Sequence, residues 1–197
     1  DNFGEKIAKN VARQKLGIDL NDKVILFFGF IRKYKGLDIL LNAMKLLKQD
    51  AATQNIKLLI AGEFYEDEKN YHDLLNDPSI KENLIIHTQF ISDNEVKYYL
   101  CAADCVVQPY RNATQSGVTP LAYHFEIPMI VTNVGGLPSL VPDKKVGLIA
   151  EPNPEDIAQK IREYFELGEE SFLPYLREEK KKYSWEVMVK KILALAS

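Results

Sequence analysis

A chain of 197 residues is the size of one domain and should bury roughly 70% of its unfolded surface, enough for a core without staples. Hydrophobic residues make up 46% and charged residues 27%, both ordinary for a soluble globular protein. The net charge of −3 argues against a nucleic-acid partner, whose binding domain is usually basic overall.

Apolar runs of strand length alternate with stretches of helical period, the pattern of repeated βαβ units. Residues 24–30 are nearly all apolar, as suits a parallel strand covered on both faces. They turn at Lys35-Gly36 into a helix carrying Leu37, Ile39, Leu40, Leu41, Met44 and Leu47. Residues 57–61 form the next strand, closed by Gly62; a polar helix over 67–75 ends at Asp77-Pro78. Residues 84–87 are a third strand. Ser92 and Glu95 are then spaced as a capping box for a helix through Tyr98 and Leu100.

Residues 104–108 read as the fourth strand, 115–125 as a helix, 129–132 as the fifth strand and 147–150 as a short sixth. A helix from Pro154 runs to about Leu167, and helical segments fill the remainder. The expected fold is α/β, a doubly wound parallel sheet of about six strands, Rossmann-like. Such sheets bind ligands beyond the carboxyl ends of their strands, near the topological switch.

Cys101 and Cys105 lack the second pair that a zinc site needs, and read as small buried residues in a reducing cytoplasm. No apolar run is long enough to span a membrane and no export signal opens the chain. The abrupt start at Asp1-Asn2-Phe3-Gly4 suggests a segment of a longer protein. The dinucleotide fingerprint, the P-loop and the hydrolase nucleophile elbow are absent. His72, His87 and His124 form no metal-ligand motif, so no metal is expected.

Three loops could carry chemistry. Gly29-Phe30-Ile31-Arg32-Lys33-Tyr34-Lys35-Gly36 places three cations where a helix is about to begin, against its dipole. A bound pyrophosphate would resolve that conflict; a solvated basic turn is the alternative. Thr114, Gln115, Ser116, Gly117 and Val118 open a helix with small residues and hydroxyls, which suits an anion, or a plain N-cap. Gly135 and Gly136 permit close backbone approach, or mark an ordinary turn.

The order of segments resembles the C-terminal domain of family 4 retaining glycosyltransferases, which have the two-domain GT-B fold. The resemblance covers roughly residues 23–165. It rests on the strand leading to Lys35-Gly36, on Leu58-Leu59-Ile60-Ala61-Gly62 and on Ala102-Ala103-Asp104-Cys105-Val106-Val107-Gln108-Pro109. It continues through the stretch from Pro128 to Pro138 and Gly147-Leu148-Ile149-Ala150-Glu151-Pro152.

The resemblance implies that Lys35 and Arg32 are the catalytic cations, neutralising a donor diphosphate cradled by Thr114 to Val118. Phe90 and Ile91 would dock the base, and Gly29, Gly135 and Gly136 would support the loops. Lys35 matches the family lysine directly. Phe30 stands where the family has arginine, so Arg32 is the displaced candidate. Two family glutamates are missing: one register puts Thr114 and Ala122 at their positions, the other Ala113 and Leu121.

The expected activity is transfer of a hexosyl or other sugar from a nucleoside diphosphate sugar, with retention and without metal or cofactor. The acceptor half would be an N-terminal domain absent from this chain, leaving the isolated domain inactive. The expected setting is the bacterial cytoplasm, with any attachment to the inner face of the membrane supplied by the absent half. Two rivals stand beside it: a non-catalytic nucleotide-sugar scaffold, and another GT-B enzyme of phosphorylase or epimerase type.

Overall fold

The structure, a computed structural model, describes residues 3–182; the helical expectation for 183–197 lies outside the described residues. Six strands form one parallel sheet: β1 (Lys23–Phe28), β2 (Ile56–Ala61), β3 (Leu84–His87), β4 (Cys105–Gln108), β5 (Met129–Thr132) and β6 (Gly147–Ala150). Their order is β3-β2-β1-β4-β5-β6. The chain therefore winds outward from β1 to β3, then returns to lay β4 against the free side of β1. Pairing runs from Lys23↔Ile56 to Phe28↔Ala61 on one side of β1 and through Ile25↔Cys105 on the other.

Among the described residues, eight α-helices flank the sheet: α1 (Lys9–Leu16), α2 (Leu37–Lys48), α3 (His72–Leu75), α4 (Val96–Ala102), α5 (Val118–Phe125), α6 (Leu137–Leu140), α7 (Pro154–Leu167) and α8 (Leu173–Lys181). One layer packs α2 against α3 and α7; the other links α1, α4, α5 and α8. Covered on both faces, β1 buries Val24 through Phe28, which is why its sequence is continuously apolar instead of alternating. No helix among the described residues is long and apolar enough to cross a membrane.

The expected strands all form, β3, β5 and β6 with the expected limits. Three local differences have physical causes. The helix expected over 115–125 begins only at Val118, because the Ser116 hydroxyl accepts from the Val118 N–H and holds the preceding residues as a loop. The expected polar helix over 67–75 splits into a 3-10 turn, Glu68–Tyr71, and one turn of α-helix. Ser92 and Glu95 form half of a capping box: the Glu95 carboxylate accepts from the Ser92 N–H at 3.3 Å and from its hydroxyl. Glu95 returns only its backbone N–H, to the Ser92 carbonyl at 2.8 Å.

Cys101 and Cys105 are both free and buried. Burial pushes both thiols up, that of Cys105 well above the usual range, so neither supplies a thiolate.

Candidate functional site

The topological switch lies between the carboxyl ends of β1 and β4, and two loops meet there. The loop after β1 passes through Gly29, Arg32 and a 3-10 turn, Lys33–Lys35, before Gly36 opens α2. The loop after β4 passes through Pro109, Tyr110 and Arg111. The Arg111 N–H donates to the Tyr34 carbonyl at 2.7 Å, the Arg111 guanidinium pairs with Asp38, and the Tyr34 and Tyr110 rings meet edge-on at 6.1 Å. Gly36 has φ 68°, and a Cβ there would overlap the Pro109 carbonyl oxygen. Only glycine lets the loops close to this distance.

Lys35 is the centre of this junction. Its Nζ lies 5.8 Å from the Tyr110 ring centroid. A Cβ built on Gly29 would stand 3.1 Å from Lys35 Nζ and 3.8 Å from a Val118 methyl. The ammonium and the start of α5 thus converge on the bare backbone of Gly29. Among the described residues, no carboxylate pairs with Lys35 or with Arg32. Burial, and then the charge of Arg32, lower the Lys35 pKa from 10.5 to about 8. Arg32 lies against the Tyr65 ring, with Cζ 3.9 Å from the centroid, and its buried Nε meets no acceptor among the described residues. Two adjacent cations without a counter-ion are costly unless an anion joins them.

The loop before α5 is held from within. Ser116 Oγ donates to Gln108 Oε1 at 2.6 Å and accepts from the Val118 N–H at 3.2 Å. The Tyr110 hydroxyl, its pKa pushed up to about 12 by burial, lies 3.3 Å from Ser116 Oγ. With the serine proton given to Gln108, the phenol is the donor. The donors anticipated from Ser116 and from the Val118 N–H are therefore engaged inside the loop. Thr114, Gln115 and Gly117 remain exposed, and the N–H groups of Gly117 and Thr119 meet no acceptor among the described residues. Pro120, in the first turn of α5, contributes no N–H.

The glycine pair after β5 clamps this loop. Gly136 donates its N–H to the Ala113 carbonyl at 3.2 Å, and Gly135, at φ 52°, leaves no room for a Cβ beside the same carbonyl. Gly135→Ala should lower stability by ~1–3 kcal/mol through backbone strain alone, more if the loop cannot shift. Thermal denaturation measures it, and an unchanged midpoint would contradict the clamp.

Beside Gly29 opens a cleft of about 230 Å³, lined by Phe28, Phe30, Phe90, Ile91 and Leu121 among others. Phe90 is 68% exposed at its mouth. Glu63 and Asp93 are the ionisable residues on its wall. A larger recess of about 540 Å³ lies along the outer edge of the sheet, against α3 and β3. It shares no residue with the Lys35 junction, so chemistry and not size locates the site.

The family described as Glycosyl transferases group 1 matches residues 8–183. The chain belongs to that family. A D-inositol 3-phosphate glycosyltransferase of Corynebacterium urealyticum is 28% identical over 199 residues, covering 98% of this chain and 47% of that protein. The chain spans 33% to 47% of the length of the first curated relatives it matches. The C-terminal domain of the group 1 glycosyl transferase LpcC from Francisella tularensis, solved alone, superposes with a TM-score of 0.74 at 18% identity, covering 91% of this chain and 92% of that one. Anabaena HepE, solved with UDP and glucose, gives a TM-score of 0.75 at 16% identity, covering 97% of this chain and 54% of that one. The fold is that of the C-terminal half of GT-B glycosyltransferases.

At the second of the two missing-glutamate positions of this glycosyl transferase chain, Leu121 lines the cleft, whereas Ala122 is wholly buried. At the first, Ala113 is buried and Thr114 exposed, so the two positions do not select one register, and none of the four residues is a carboxylate. Phe30, Glu63, Tyr65 and Asp93 lie in loops at strand carboxyl ends, where such a sheet is expected to bind ligands, although none of them is singled out by its sequence as a site residue. Their loops converge there only because the sheet aligns the carboxyl ends of β1, β2 and β3.

Proposed function

We propose that this chain is the donor-binding domain of a retaining glycosyltransferase, and that it holds the diphosphate of a nucleoside diphosphate sugar at the Gly29–Lys35–α5 junction. The single observation that carries this reading is the unpaired Lys35 ammonium beside Gly29, facing the start of α5. HepE, which shares the fold, was solved with UDP and glucose, in line with such a donor. The cleft beside Gly29 takes the base between Phe90, Ile91 and Leu121.

As the glycosidic bond breaks, negative charge gathers on the leaving diphosphate. Lys35, Arg32 and the N–H of exposed Gly117 at the start of α5 are preorganised for that charge and stabilise the transition state more than the ground state. Protein cations neutralise the leaving group, so the reaction runs without a metal. The acceptor binds in a second, N-terminal domain, and this domain alone does not turn over. The protein acts in the cytoplasm.

The test is a metal-free thermal-shift titration with UDP, GDP, ADP and their sugars. Ligand at 100 times its Kd should stabilise by ~2.7 kcal/mol, a rise of roughly 5–10 °C. Absence of any shift in the full-length protein would overturn donor binding. A pH series adds an independent check. Free Lys35 loses its proton near pH 8 and a bound anion favours the charged form, so diphosphate affinity should be constant between about pH 7, above the phosphate's own second pKa of about 6, and pH 8. Above it, affinity should weaken by up to ~10-fold per pH unit; flat affinity to pH 9.5 would exclude Lys35 as a ligand.

A second reading rests on Leu121, which lines the cleft where a glutamate is missing: a nucleotide-sugar binder without turnover. It predicts the same thermal shift in the complete protein and no sugar transfer.

A further inference from the structure

Pairing between β1 and β2 does not end with the strands. Beyond them the Ile31 N–H donates to the Glu63 carbonyl at 2.8 Å, the Tyr65 N–H donates to the Ile31 carbonyl at 3.1 Å, and Ile31 bridges Phe64. One residue further, the Lys33 N–H donates to Glu66 Oε1 at 3.1 Å. This extension fixes the backbone of Tyr65 alongside Arg32.

The side chains follow. Arg32 Cζ sits 3.9 Å from the Tyr65 centroid and 6.0 Å from that of Phe30, and the two rings meet edge-on at 5.9 Å. Tyr65 is 65% exposed and Phe30 48%, so neither is held there by burial in the core. With Nε buried, a guanidinium stacked by its face leaves its two Nη groups for a bidentate anion contact. Arg32 has no carboxylate among the described residues to direct it elsewhere, and its charge is felt at Lys35.

We propose that Tyr65 is a positioning residue: its ring, braced by Phe30, aims the Arg32 guanidinium at the diphosphate site, restoring the cation that Phe30 displaces. This rests on the donor-binding reading above. Tyr65 itself touches no ligand; it fixes the rotamer of a long side chain and so removes the entropy that ordering it on binding would cost.

A double-mutant cycle tests this, with inorganic pyrophosphate and UDP titrated calorimetrically into the 197-residue chain at pH 7. Tyr65→Ala should weaken binding by about 3- to 10-fold, while Tyr65→Phe stays within about 2-fold, since the stack needs the ring and not the hydroxyl. In an Arg32→Ala background, Tyr65→Ala should add nothing. Unchanged affinity for Tyr65→Ala in the wild-type background overturns the inference while leaving the donor site intact. So does a loss that persists undiminished without Arg32. Harmless Arg32→Ala beside a damaging Lys35→Met removes Arg32 from the site and Tyr65 with it. A wild-type protein that binds neither probe, as the 197-residue chain and at full length, overturns both readings.

Discussion

Lys35→Met should bind diphosphate at least ~10-fold more weakly than the wild type and yet melt at a higher temperature. The loss follows from one charge-assisted contact, ~1.5–3 kcal/mol, or roughly 10- to 150-fold in Kd. The gain follows from the free site. There burial of the ammonium, and then the charge of Arg32, lower its pKa from 10.5 to about 8, and no carboxylate among the described residues pairs with it. At ~1.4 kcal/mol per pH unit that fall amounts to ~3 kcal/mol, and partial exposure screens it to ~1–2 kcal/mol.

The pH dependence gives the sign. Below pH 8 the lysine is protonated in both states, and the folded state bears the full destabilisation. Between pH 8 and 10.5 the unfolded chain holds a proton that the folded chain has released, so wild-type stability rises with pH. The advantage of Lys35→Met, roughly 2–8 °C at pH 7, should shrink across that interval and vanish near its upper end. An equal melting point at pH 7, or an advantage that persists unchanged to pH 10.5, would mean that Lys35 is not a strained cation. A lone cation that costs stability is the pattern expected where function, not folding, selects a residue.

Lys35 was legible in the sequence because its conflict is local: cations ahead of a helix, at a strand's carboxyl end. The strands were legible for a similar reason, since residues buried on both faces leave continuous apolar runs. What escaped depends on partners far along the chain. The helix α1 went unseen because its buried residues are only Ala12 and Arg13; it docks by a guanidinium and leaves little apolar stripe to detect. The loops that hold Phe30 and Tyr65 are legible as strand-end loops; the contact between the two rings is not, because it arises from bridging beyond the ends of β1 and β2. Ser116 was read as a donor at a helix start. Its bonds to Gln108 and Val118 show that a hydroxyl in the right place can be spent on shaping the loop, which no spacing rule reveals.

Asp104→Ala should be the most destabilising single change at the opposite, amino end of the sheet. Asp104 accepts from Lys9 Nζ at 2.8 Å, from Arg13 Nη2 at 3.1 Å and from the Val24 N–H at 2.7 Å. Arg13 is only 3% exposed; its remaining donors go to the carbonyls of Ala102, at 3.0 Å, and Leu20, at 2.7 Å. The Asp104 backbone completes the junction by donating to the Val24 carbonyl at 2.8 Å and accepting from the Tyr164 hydroxyl. One residue thus joins α1, β1, β4 and α7. Removing its carboxylate leaves a buried guanidinium without its counter-charge, a loss of ~3–5 kcal/mol, or roughly 6–20 °C in melting temperature for a domain this size. Arg13→Met combined with Asp104→Ala should recover part of that loss, because the unpaired charge goes with the arginine. A melting point within about 2 °C of wild type for Asp104→Ala would contradict the buried-pair account. Well below its melting temperature the variant should bind diphosphate as the wild type does, since the cluster and the Lys35 junction lie at opposite ends of the strands; an accompanying loss of affinity would show that the hub also shapes the site.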